Sequence, residues 1–98
     1  MKDRPNSGII GSDISQNVAA FYRVPRGVLV TDLDADSHAE AAGIRRNDII
    51  TGFNGETVLS MADITKITRE LNVGDVVDVE LWRNNGTVTV RLTIAEKR

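Results

Sequence analysis

Between Val76 and Ile94 the chain alternates apolar and polar residues in two runs, separated by Asn84-Asn85-Gly86. Val77, Val79 and Leu81 occupy every second position before the break, and Val88, Val90, Leu92 and Ile94 do so after it. A period of two belongs to a strand with one buried face, and Asn-Asn-Gly between two such runs is turn chemistry. The pattern predicts a two-stranded hairpin, and an isolated hairpin is marginal in water. The rest of the chain must supply what covers its apolar face.

It has the material to do so. Gly27 to Leu33 is a strand rich in β-branched residues. Asp48 to Phe53 is another, closed by Asn54-Gly55, the dipeptide preferred in tight hairpins, with Thr57-Val58 as a brief return strand. Gly8-Ile9-Ile10-Gly11 reads as a short strand framed by Gly, where another backbone can approach closely. Ser60 to Asp63 is a cap signature opening the longest helix, about residues 61–71, whose apolar positions 64, 67 and 71 share one face. Ser37 and Glu40 match a capping box for a helix of less than two turns, ended by Gly43. Ser15 to Tyr22 can make one or two helical turns before Pro25. The sum is an α+β chain, a small partly open β-barrel or sandwich of five or six strands capped by one long and one short helix. At 98 residues it makes one domain, 1–98, with no repeat or linker.

Composition removes several functional classes. Twelve Lys and Arg against fourteen Asp and Glu leave a net charge of −2 and no basic stripe for nucleic acid. There is no Cys, so disulfides, thiolate metal sites and thiol nucleophiles are excluded. The one histidine, His38, falls in the first turn of the short helix, where neither a catalytic triad nor a zinc site can be built around it. Asp32-Leu33-Asp34-Ala35-Asp36 imitates the start of a calcium loop, but its sixth and twelfth positions are Ser37 and Gly43 rather than Gly and Glu. Gly8 to Gly11 lacks the third glycine of a dinucleotide fingerprint, and Asn85-Gly86-Thr87, a glycosylation sequon in form, is accounted for by the hairpin turn. The chain is expected to be no enzyme and to need no cofactor or metal. No apolar run approaches the roughly 18–20 residues of a membrane span, and Met1-Lys2-Asp3-Arg4-Pro5 has no signal-peptide core.

The block Ala39-Glu40-Ala41-Ala42-Gly43-Ile44-Arg45-Arg46-Asn47-Asp48-Ile49-Ile50, followed by Phe53-Asn54-Gly55-Glu56-Thr57-Val58, resembles the signature of bacterial PDZ domains. Arg4-Pro5, Gly8-Ile9, Gly27 to Val30, the Ser60 helix, Val73-Gly74-Asp75 and the hairpin from Leu81 arrive in the order of the PDZ domain of HtrA/Deg-type serine proteases. The resemblance covers about residues 4–94. It departs from the family pattern at Asn6-Ser7, where the loop usually reads aromatic or acidic and then Leu. It departs also at His38, where Pro is common, and in lacking a Pro near Val73.

The resemblance implies a peptide-binding module, the recognition or regulatory part of a bacterial extracytoplasmic protease acting in protein quality control. Its own protease domain would lie elsewhere in a parent that can be membrane-anchored. The ligand is the exposed hydrophobic C-terminus of a substrate or regulator protein, added as a strand along Ile9, Ile10 and Gly11. Its carboxylate would meet the amides of the Ser7-Gly8-Ile9 turn. Met61, Thr65 and Thr68, at i, i+4 and i+7, would form the opposite wall, with Ile9, Gly11 and Val18 around the last side chain. The other implied reading is a PDZ-like scaffold or secretion module with an occluded groove or a ligand that is not a C-terminus.

Overall fold

A computed structural model describes residues 4–97; the Met1-Lys2-Asp3 part of the signal-peptide reading lies outside them. The elements run β1 (Pro5–Asn6), β2 (Ile9–Asp13), α1 (Gln16–Tyr22), β3 (Val28–Leu33), α2 (Ala39–Ala42), β4 (Ile49–Phe53), β5 (Glu56–Thr57), α3 (Met61–Arg69), β6 (Val76–Arg83), β7 (Gly86–Thr93) and β8 (Ala95–Glu96). One sheet has the order β2-β3-β4-β6-β7, with β5 paired to β4, and a separate ribbon joins β1 to β8. Every strand pairing among the described residues is antiparallel, and the sheet is open: β2 and β7 are its ends.

The alternating segment forms β6 and β7 in the expected register, with Val77 opposite Leu92, Val79 opposite Val90 and Leu81 opposite Val88. Asn84 and Asn85, at φ 52° and 59°, make the two-residue turn, and Gly86 already belongs to β7, opposite Arg83. Two consecutive left-handed residues match the right-handed twist of the flanking strands. Ile44, Ile50, Phe53, Ile64, Leu81, Leu92 and Ile94 form the centre of the main core. The pleat of β4 sends Ile50 into that core and Ile49 to the other face, into a smaller cluster with Ile14, Ala19 and Trp82.

Several boundaries differ from the sequence expectations. Ser37 and Glu40 do not form a capping box. His38 is the N-cap of α2 and makes no side-chain cap bond, while the Ser37 hydroxyl donates to the Asp34 carbonyl at 2.7 Å. The acidic turn after β3 claims Ser37 first. The return strand is Glu56–Thr57, with Val58 buried beyond it. α3 ends at Arg69, because the amides of Glu70 and Leu71 turn to carbonyls only three residues back and tighten the last turn. Ser15 to Tyr22 becomes a third helix, capped by Ser15 Oγ accepting from the Val18 amide. The ribbon of β1 and β8 had no expectation at all.

Three of these features position the site. The β1–β8 ribbon anchors Pro5 and Asn6 opposite Glu96 and Ala95, so the loop between β1 and β2 is held at both ends. β2 pairs only with β3 and offers its other edge. α3 lies beside that edge, its first amide, on Met61, donating to Asp13 Oδ1 at 2.8 Å.

Candidate functional site

The space between the start of β2 and α3 is a cleft of about 520 Å³. Ser7 and Ile9 line it on the strand side, and Met61, Thr65 and Thr68 on the helix side. Five residues singled out from the sequence thus meet around one cleft. Ile10 does not line it: strand alternation turns its side chain away, where it is 47% exposed. Gly8 and Gly11 are absent from the wall too, and their part is confined to backbone. Val18 stands on the exposed side of α1, away from the pocket assigned to it.

The helix wall is polar only in part. Thr68 is buried and its hydroxyl donates to the Ile64 carbonyl at 2.7 Å. Thr65 is exposed, while Met61 packs partly on the core. Ser60 fixes the start of this wall by accepting from the Asp63 amide at 3.2 Å, and Asp63 in return accepts from the Leu59 amide at 2.9 Å.

At the mouth of β2 the chain turns through Gly8, at φ +79°. A side chain there would be strained and would collide with Ser37. The amides of this turn are already engaged. Gly8 N donates to Asn6 Oδ1 at 3.0 Å and Ile9 N to Ser7 Oγ at 3.3 Å, two consecutive side-chain-to-backbone turns. The Asn6 amide also donates to Asp34 Oδ2 at 3.1 Å, and Lys97 Nζ reaches the same oxygen at 2.9 Å. Lys97, the Asp36 amide and Asn6 together hold the Asp34 carboxyl at about 2, well below its usual 3.8. The acidic run that imitated a calcium loop is therefore used in structure, with Asp32 paired to Arg46 at 2.9 Å and Asp34 fastening the loop.

Four lining residues were not anticipated in this role: Arg4, Pro5, Arg69 and Lys97. Arg69 was within reach of the sequence, since it continues the Met61–Thr65 spacing by one more turn. Arg4 and Lys97 arrive through the β1–β8 ribbon, which two-residue strands give no periodicity to reveal.

The open sheet, the free β2 edge and the helix across from it match a known family at the level of sequence, its PDZ domain model aligning with residues 8–94. The chain belongs to the PDZ domain family. Its relatives are HtrA and DegP serine proteases. It is 34% identical over 105 aligned positions to the serine protease Do-like HtrB of Bacillus subtilis, a match covering 97% of this chain and 23% of that protein. It is 30% identical to the periplasmic serine endoprotease DegP of Salmonella typhimurium, over 95% of this chain and 20% of the relative. Among solved structures, a serine endoprotease from Yersinia pestis superposes with a TM-score of 0.78 at 27% identity, covering 98% of this PDZ chain and 30% of that one. The HtrA-type protease AlgW, solved with a decapeptide, shares the PDZ fold with a TM-score of 0.84 at 14% identity, over 98% of this chain and 30% of its own. This PDZ chain thus spans less than a quarter of those two curated relatives.

Proposed function

We propose that this PDZ domain is the peptide-recognition module of an HtrA/Deg-type serine protease, binding exposed apolar C-termini of substrate or regulator proteins. The observation that carries the reading is the unpaired edge of β2 facing α3 across a cleft with Ile9 and Met61 on its walls. An extended peptide adds there as a further strand, its backbone satisfied by β2 and its alternate side chains directed into the cleft. Its terminal carboxylate is received at the Ser7-Gly8-Ile9 turn and the cationic groups beside it. The chain itself is proposed to hydrolyse nothing, since His38 stands exposed at a helix cap and no nucleophile among the described residues is paired with it. Relatives named as periplasmic enzymes support an extracytoplasmic location.

The second reading, a scaffold whose groove takes no free C-terminus, is favoured by one observation. Asn6 and Ser7 occupy the two loop amides that a carboxylate would use. Hydrogen exchange separates the two readings. Strand addition slows exchange at β2 amides when a peptide with a free apolar C-terminus is added, whereas a scaffold shows no protection at β2.

A further inference from the structure

We infer that the groove selects peptide ends carrying a second negative charge, an Asp or Glu side chain within the last three residues, and that Arg69 is the residue that reads it. The inference rests on the groove being a C-terminus receptor. Its starting point is orientation. Met61 N bonds Asp13 at the far end of β2, so α3 runs back along the strand and delivers Arg69 to the Ser7 end, where the peptide terminates.

Three cationic side chains line that end, Arg4, Arg69 and Lys97, and among the described residues no Asp or Glu lines the cleft with them. The concentration is local, because the whole chain is net negative at −2. Lys97 is committed to Asp34. No carboxylate among the described residues pairs with Arg4 or Arg69. A single end-carboxylate therefore leaves positive charge on the exposed Arg4 and Arg69 without a counter-charge. A second carboxylate balances it, and the planar guanidinium accepts a carboxylate in a two-bond fork. The satisfied amides of Gly8 and Ile9 strengthen the argument, because they shift recognition of charge from backbone to side chains.

The test uses three peptides of one sequence with an apolar last residue: a free acid with Asp third from the end, its Asn counterpart, and the Asp peptide amidated at its C-terminus. Affinities are measured by fluorescence anisotropy at low and high salt on the chain, on Arg69→Gln, and on Arg45→Gln, which lies outside the cleft. The Asp peptide is expected to bind about threefold more tightly than the Asn peptide, the scale of an exposed ion pair. Salt should shrink the difference, Arg69→Gln should abolish it, and Arg45→Gln should preserve it. Equal affinity for Asp and Asn peptides, with amidation still weakening binding, overturns the second charge and leaves C-terminal recognition standing. Amidation without effect overturns both. If Arg69→Gln weakens the Asp and Asn peptides equally, Arg69 serves the end-carboxylate alone and the inference also fails.

Discussion

Gly8 carries more of the loop than its place in a short apolar run suggests. It turns the chain at φ +79° and leaves no room for a Cβ against Ser37. Gly8→Ala is expected to lower stability by at least about 1–2 kcal/mol, from the left-handed backbone alone. An unchanged urea midpoint would contradict this geometry. The variant therefore reports on the fold before it reports on the ligand. Asp34, one contact away, gives a pH signature. Its folded-state value of about 2 lies below 3.8, so its contribution is complete above 3.8 and is lost as pH falls toward 2. Lys97→Met should shift that loss to higher pH, which thermal unfolding followed across this acid range will show. The sequence marked Asn6-Ser7 as a departure from the family's aromatic or acidic residue followed by Leu. The structure shows two side chains folding back onto amides two residues ahead, a competition among local hydrogen bonds that no apolar pattern encodes.

At the scale of elements, what was legible was what repeats. The β6–β7 hairpin and α3 each carry enough turns of a regular pattern to fix their inward faces, and Ile64 is fully buried as its spacing requires. Ile64→Ala should cost about 2–5 kcal/mol. Ile49→Ala removes the same atoms from the smaller cluster and should fall toward the lower end of that range, so equal denaturation midpoints for the two variants would contradict the division of the core. The Ser37–Glu40 box misled because a four-residue helix offers little to stabilise, and the turn before it made better use of the serine. β1 and β8 were invisible for a related reason: two residues have no period, and their pairing joins segments far apart in the sequence.

At the scale of the whole molecule, one buried ion pair ties the signature block to the hairpin. Asp48 is 3% exposed and accepts from Arg83 Nε at 2.8 Å and Arg83 Nη2 at 2.6 Å, and from the Arg45 amide at 2.8 Å. The same guanidinium donates to the Gly43 carbonyl at 2.6 Å, which ties down the exit of α2. Asp48 holds the guanidinium of Arg83 in its charged form. Arg83→Ala leaves Asp48 buried without its counter-charge and should cost about 3–5 kcal/mol, measurable by chemical denaturation. This pair holds the frame from which β2 and α3 present the groove. The claim that the groove captures a free C-terminus is tested most directly by titrating one apolar-ended peptide, as free acid and as amide, against the chain and following each backbone resonance by NMR. Burial of one apolar side chain, about 1.5–3 kcal/mol, plus charged hydrogen bonds at the loop, less the ordering of the peptide, predicts micromolar binding of the acid. Shifts should centre on Ile9 to Gly11, Thr65 and Thr68, and amidation should weaken binding at least about tenfold, or 1.4 kcal/mol. Equal affinity for acid and amide, or shifts confined to the region of His38 and Arg45, would contradict it.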